Sequence, residues 1–145
     1  MSQVTDELQK VLADTFVLYF KTHSFHWNVE GPQFHMLHLL FQEQYTELWT
    51  ISDEIAERLR ALGAYAPDNF SGILKTASLS ESGKTPTADE MVKILLADHE
   101  AIVKTLGSAL KAAQAAEDEV TAGLLIDRMT SHEKTAWMLR SLLSE

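Results

Sequence analysis

Apolar residues recur at helical spacing along most of the chain and predict long α-helices. The first pattern runs from Val4 without a breaker to Gly31 and Pro32, which predict a turn. Pro32 suits the first position of a second helix, and Gly63 suits the left-handed residue after the end of that helix. About thirty residues without glycine or proline lie between them, which corresponds to roughly 45 Å of helix.

The second half of the chain predicts two further long helices. Residues 64–86 interrupt the pattern with glycines and prolines, and predict a long connection with a short helix near residues 73–74. Thr87 and Glu90 have the spacing of a capping box, so a third helix is expected to start there. The acidic segment 117–119 interrupts that helix with good N-cap residues, and a fourth helix is expected to follow.

The lengths of the connections indicate how these helices are arranged. The turns after the first and third helices are short, so each pair is expected to form an antiparallel hairpin. The link over 64–86 is long enough to cross a bundle at about 3.3 Å per residue. We therefore expect an all-α, ferritin-like four-helix bundle with a long crossover between helices two and three, forming a single domain over 1–145.

Composition and charge exclude several classes of function. The 145 residues are 46% apolar, enough for one self-sufficient core. The net charge of −9 and scattered basic residues argue against an electrostatic hold on nucleic acid. The absence of cysteine removes disulfides, thiolate zinc sites and cysteine nucleophiles. Without a signal peptide or a long apolar run, the chain is expected to be cytoplasmic, with no membrane association.

Four of the six histidines cluster around the first turn, at His23, His26, His35 and His38. Polar residues near a helix end would explain such a cluster without any chemistry. Imidazole is also the commonest metal ligand in proteins. A hairpin that turns at residues 31–32 places His26 and His38 nearly level with one another, so the two could share a metal ion.

Two carboxylates on the second helix extend this hypothesis. Asp53 and Glu57 are four residues apart and share a broad helix face with His38. His38 and Asp53 are separated by roughly 22 Å of helix, whereas a metal–ligand bond is about 2.1 Å long. If these groups form one site, it must therefore lie between two subunits, across a two-fold axis that pairs antiparallel second helices. Nitrogen and oxygen ligands suit Fe(II), Mn or Zn, and carboxylates favour a metal that changes valence.

The usual alternative for such a bundle is a di-metal site in its interior. That site requires Glu-x-x-His motifs on two helices. No Glu-x-x-His occurs in the sequence. We therefore expect His99 and His132 to be surface or structural histidines.

The segment HSFHWNVEGPQF at residues 23–34, followed by His38 and by DEIAER at 53–58, resembles the Dps family of miniferritins. The order and length of the helices match that family over essentially the whole chain. The resemblance implies a hollow dodecameric shell that oxidises Fe(II), preferably with hydrogen peroxide, and stores the ferric iron inside. Iron is thus the metal that the resemblance implies.

The resemblance also assigns roles to individual residues. By position, His26 and His38 match the histidine ligands of one subunit, while Asp53 and Glu57 match the carboxylate ligands of its partner. Trp27 matches a tryptophan that the family uses as an oxidisable group beside the site. An anchor in a subunit interface would explain Trp27 equally well, since tryptophan is enriched at such surfaces.

Two features concern iron. Gln42 stands where many members of the family carry an acid, and a neutral amide is a poorer ligand, which leaves the second iron position open. The resemblance also places iron entry at the start of the fourth helix, where Glu119 is the best candidate, with Asp118 and Asp127 nearby. Gly123 occupies a position where relatives often have another acid.

Direct DNA binding is not expected. Members of the family that bind DNA usually do so through a lysine-rich terminal arm, which this sequence lacks. Two alternatives of other classes remain. One is a helical assembly without redox activity, in which the histidines only decorate an interface. The other is a DNA-compacting scaffold, which would need positive charge that the composition does not supply.

Overall fold

The computed structural model describes residues 2–144 and confirms the all-α bundle. Within that range the chain forms five α-helices, at Ser2–Asn28 (α1), Phe34–Ala61 (α2), Phe70–Thr76 (α3), Ala88–Ala115 (α4) and Glu119–Leu142 (α5). Helices α1, α2, α4 and α5 form the bundle, and α3 lies in the crossover against α1. The domain expected over 1–145 also includes Met1 and Glu145, which lie outside the described residues. None of the helices within 2–144 has the length and apolar character needed to cross a lipid bilayer.

The turn between α1 and α2 differs from the prediction by two residues. Gly31 adopts a left-handed backbone with φ of 111°, as its position indicated. Pro32 does not open the second helix, because the N–H of Phe34 donates to the carbonyl of Gly31 at 3.0 Å. This hydrogen bond closes a turn before the helix can start, so α2 begins at Phe34.

The other predicted helix boundaries are confirmed. Gly63 follows α2 with φ of 91°, and the N–H of Ala64 donates to the carbonyl of Leu59 at 3.0 Å, which completes a Schellman-type end. Thr87 and Glu90 form both hydrogen bonds of the capping box at the start of α4. These boundaries are set by local hydrogen bonds, which is why the sequence predicts them.

A buried carboxylate on α1 anchors the crossover, and the sequence analysis did not identify it. Asp14 accepts hydrogen bonds from the N–H groups of Ser78 and Leu79, at 2.7 and 3.1 Å, and from the hydroxyl of Thr105 at 3.0 Å. Hydrogen bonds to a charged acceptor are stronger than neutral ones. Asp14 therefore holds the crossover against α1 and α4, just after the short helix expected near residues 73–74.

Two histidines lie in the middle of the bundle. His99 and His132 are only 2% and 1% exposed, so the expectation of a surface position was wrong and a buried structural position is correct. Arg128 donates to Nε2 of His132 at 3.1 Å and forms an ion pair with Glu47 on α2. The bundle can bury these polar groups because they satisfy one another across helices. Apolar side chains from all four long helices fill the remaining interior.

Candidate metal centre

His26 on α1 and His38 on α2 meet across the first turn. Nδ1 of His26 lies 2.7 Å from the backbone carbonyl oxygen of His38, and Nδ1 of His38 lies 2.7 Å from the carbonyl oxygen of His26. Since a carbonyl can only accept, each Nδ1 donates its proton, and each neutral ring keeps the lone pair on Nε2. The rings stack at a centroid distance of 3.9 Å. This reciprocal pair of hydrogen bonds orients both Nε2 atoms in the way that metal-binding histidines require.

The two carboxylates lie far from the histidines within one chain. Asp53 and Glu57 are exposed on α2, which is unbroken over Phe34–Ala61. The helix therefore separates Asp53 from His38 by roughly 22 Å. In the described part of the chain, no group of three or more His, Cys, Asp or Glu side chains is close enough to hold a metal ion. One chain thus brings the histidines together and leaves the carboxylates apart from them.

Trp27 lies beside the histidine pair and is 57% exposed. Its ring is 4.2 Å from the ring of His23, which in turn stacks on Tyr45 at 3.8 Å with an interplanar angle of 8°. The Tyr45 ring is 5.1 Å from the ring of His26. The sequence analysis did not place His23 or Tyr45 next to the pair. The available signal was spacing, because His23 is four residues before Trp27 on α1.

The aromatic surroundings keep these groups neutral. Burial lowers the pKa of His23, and the neighbouring His26 lowers it further. Burial raises the pKa of Tyr19, with a further contribution from Tyr45, and its hydroxyl is hydrogen-bonded to Nδ1 of His23 at 2.9 Å. His35, the remaining member of the histidine cluster, is exposed.

Large apolar side chains are exposed on the same face. Trp49 is 59% exposed and Phe34 is 41% exposed, and the Phe34 ring stacks on His38 at 5.0 Å. On α1, Phe20 is 52% exposed and packs against Trp27. Exposed apolar patches mark interaction surfaces. A partner on this face would cover the histidine pair at one end of α2 and the carboxylates towards the other.

The residues expected to modify iron binding and entry have clear positions. Gln42 is exposed one turn after His38, and it lines a surface groove with Glu43. Asp118 caps α5 by accepting from the N–H of Thr121 at 3.0 Å, and it forms an ion pair with Arg58 at 3.1 Å. Asp118 therefore has a structural task within the chain.

The acidic residues beyond this cap are free of such contacts. Glu119 and Asp127 are exposed on α5, as is Gly123. Neither carboxylate takes part in the ion pairs found within residues 2–144. Of the three acids, Glu119 and Asp127 are thus the ones whose charge faces solvent.

Comparison with known proteins defines the class of this bundle. Residues 5–145 match a family model described as a ferritin-like domain. The chain is 42% identical over 143 residues to DNA protection during starvation protein 2 of Bacillus anthracis, which covers 99% of this chain and 98% of the relative.

Solved structures agree with this match. The Dps structure from Staphylococcus aureus has a TM-score of 0.96 and 36% identity, with coverage of 100% of this chain and 97% of that one. A Dps structure from Vibrio cholerae has a TM-score of 0.95 and 32% identity, with coverage of 99% and 90%, and is described as a ferritin-like diiron-carboxylate protein. The chain belongs to the Dps family of ferritin-like proteins.

Proposed function

We propose that this protein is an iron-oxidising and iron-storing miniferritin. It oxidises Fe(II) with hydrogen peroxide, or with dioxygen, at sites shared between subunits of a dodecameric shell, and keeps the ferric product inside. The observation that carries the proposal is the reciprocal hydrogen bonding of His26 and His38, which leaves both Nε2 atoms available as ligands. Family membership supports the general role in iron storage and protection from oxidative damage.

Each proposed site combines two half-sites. His26 and His38 of one subunit supply nitrogen ligands, and Asp53 and Glu57 of the partner subunit supply oxygen ligands. The distance along α2 supports this division, because a single chain cannot bring the four side chains to one ion. The apolar face around them supports burial against a partner.

The ligand set suits the oxidation of bound iron. Two imidazoles and two carboxylates leave coordination positions open, so peroxide can reach the iron. Negative carboxylates stabilise Fe(III) more than Fe(II), because the attraction grows with the charge of the ion. Trp27, beside His23 and close to the pair, is proposed as an oxidisable group that captures stray oxidising equivalents.

The direct test is peroxide-driven iron oxidation by the assembled protein. Fe(II) is added without oxygen, hydrogen peroxide follows, and ferric absorbance is recorded. The double variant His26→Ala with His38→Ala should lose most of the activity, whereas His35→Ala, an exposed member of the same histidine cluster, should retain it. A non-redox assembly predicts instead that the unmodified protein oxidises iron no faster than buffer.

A further inference from the structure

Aromatic rings of α1 and α2 form a continuous path that begins beside the histidine pair. The Tyr45 ring lies 5.1 Å from the His26 ring, and the Tyr19 ring lies 6.3 Å from the Tyr45 ring. The Trp49 ring continues the path at 5.5 Å from Tyr19. His23 stacks on Tyr45 and is hydrogen-bonded to the hydroxyl of Tyr19, so it links the two tyrosines. Successive rings are thus close enough for an electron to move between them in short steps.

The far end of the path lies beside the carboxylates. At about 100° per residue, Tyr45 and Trp49 lie within about 20° of His38 around α2. Trp49 is one helical turn before Asp53, and both line the same surface cavity. Within one chain, the path therefore runs from the histidine half-site towards the carboxylate half-site.

These two half-sites belong to different iron sites. In a two-fold dimer with shared sites, the histidines of a chain serve one site and its carboxylates serve the other. The path within either chain then connects the two iron sites of the dimer. The inference rests on the proposed function, because both sites exist only if subunits share their ligands.

The ligand set indicates why such a connection is needed. Gln42 follows His38 by one turn, and a neutral amide binds iron more weakly than a carboxylate, so each site offers one strong iron position. Peroxide needs two electrons to become water, whereas one Fe(II) supplies one. A single electron would release hydroxyl radical.

We propose that Tyr45, Tyr19 and Trp49 deliver the second electron from the Fe(II) at the other site of the dimer. Fe(II) at the first site gives one electron to peroxide, the aromatic path gives the other, and the distant Fe(II) refills the path. The phenolic proton of Tyr19 passes to Nδ1 of His23 while the ring lacks its electron, and then returns. In sum, two Fe(II), one hydrogen peroxide and two protons give two Fe(III) and two water molecules, and no side chain is consumed.

The test uses variants that keep the packing of the rings. Tyr19→Phe, Tyr45→Phe and Trp49→Phe each replace an oxidisable ring with one that is much harder to oxidise. Tyr65→Phe and Trp137→Phe are matched controls outside the path, at positions that are 80% and 59% exposed. Fe(II)-binding titrations on the same samples show whether the iron sites are intact.

The assembled protein is loaded with one Fe(II) per site without oxygen and then receives peroxide. The unmodified protein and both controls should form two Fe(III) for each peroxide consumed, with a transient organic radical in freeze-quench electron paramagnetic resonance. The path variants should approach one Fe(III) for each peroxide and yield several-fold more spin-trapped hydroxyl radical. Trp49→Tyr, which restores an oxidisable ring, should recover the two-to-one ratio.

Other outcomes separate this inference from the proposed function. A two-to-one ratio in all three path variants, without hydroxyl radical, would overturn the path and show that both electrons come from a single site. A one-to-one ratio in the unmodified protein would also overturn it, while leaving iron oxidation itself in place. If the unmodified protein oxidises no iron with peroxide, the proposed function fails first.

Discussion

The Nδ1 atoms of His99 and His132 lie 2.8 Å apart in the middle of the bundle. Arg128 can only donate, so Nε2 of His132 accepts its hydrogen bond, and His132 must carry its own proton on Nδ1. That proton is donated to Nδ1 of His99, whose proton is therefore on Nε2, a buried atom without a hydrogen-bond partner in the described structure. Neither imidazole can accept a second proton without breaking one of these hydrogen bonds.

Acidification is therefore expected to destabilise the bundle. Burial, together with the charge of Arg128, lowers the pKa of His99 to about 3 from an ordinary value of 6.5, and burial with His99 and Arg128 also lowers the pKa of His132. The unfolded chain binds protons that the folded chain excludes, so stability is complete above about pH 6.5 and falls as the pH decreases. Between about pH 6.5 and about pH 5, His99 alone should account for a loss of about 2 kcal/mol.

Thermal unfolding at about pH 7.5 and about pH 5 measures this loss. His99→Gln should reduce the difference between the two melting temperatures, because it removes one of the buried titrating groups. His35→Gln alters an exposed histidine and should leave the difference unchanged. An equal difference in His99→Gln and the unmodified protein would contradict the assignment.

Mixed assemblies test whether the iron ligands are shared between subunits. One variant lacks the histidines, His26→Ala with His38→Ala, and another lacks the carboxylates, Asp53→Ala with Glu57→Ala. Each alone should lose most ferroxidase activity, since every site lacks half of its ligands. In a mixed dimer, one site combines both defects, while the other takes intact halves from the two chains. Co-assembly should therefore recover a substantial fraction of the activity.

Ligands drawn from a single subunit predict a different result. In that case no mixing ratio would restore iron oxidation, because every chain carries a defect. Native mass spectrometry of the same samples shows whether mixed assemblies formed. Proper co-assembly without recovery would reject the shared site.

The oligomeric state is expected to be a closed dodecamer. The family resemblance implies this shell, and a site divided between half-sites requires at least a dimer. Light scattering and native mass spectrometry measure the assembly directly. A stable monomer with full iron-oxidising activity would reject both the shell and the shared site.

Iron uptake should depend on Glu119 when Fe(II) is scarce. Its carboxylate is exposed at the start of α5, where it can attract cations, whereas Asp118 is held by Thr121 and Arg58. Glu119→Gln should slow uptake at limiting Fe(II), as measured by ferric absorbance. Glu133→Gln, an equal change of charge further along α5, serves as the control. Equal uptake rates in the two variants would show that Glu119 does not guide entry.

Duplex DNA should not bind appreciably near neutral pH. A net charge of −9 with scattered basic residues offers few contacts that release counterions from phosphates. A gel-shift titration at physiological salt and about pH 7.5 checks this expectation. Micromolar binding would favour the DNA-compacting alternative.

Local interactions account for what the sequence predicts about the fold. Helical periodicity locates the four long helices, because it reflects which residues share one face. Gly63 and the pair of Thr87 and Glu90 mark helix ends, since caps involve residues only a few positions apart. The start of α2 was placed too early, at Pro32 instead of Phe34, because helix propensity at that position competes with the hydrogen bond that closes the turn.

The same distinction applies to the candidate site. The short turn predicts that His26 and His38 meet, and the constant rise of a helix predicts that Asp53 lies too far away to join them. Neither statement needs the tertiary structure, because both follow from one hairpin. The sequence alone does not reveal that each Nδ1 is bound to the opposite backbone carbonyl, since that depends on how closely the two helices pack.

Contacts between distant segments decided the remaining features. Whether His99 and His132 are buried depends on Arg128 and on Glu47 from another helix, and periodicity alone cannot show that these groups satisfy one another. The path from Tyr45 through Tyr19 to Trp49 likewise alternates between α2 and α1, so it exists only when those helices lie side by side. Sequence periodicity determines which residues share a helix face, whereas packing between helices determines which of those faces meet and which polar groups can be buried there.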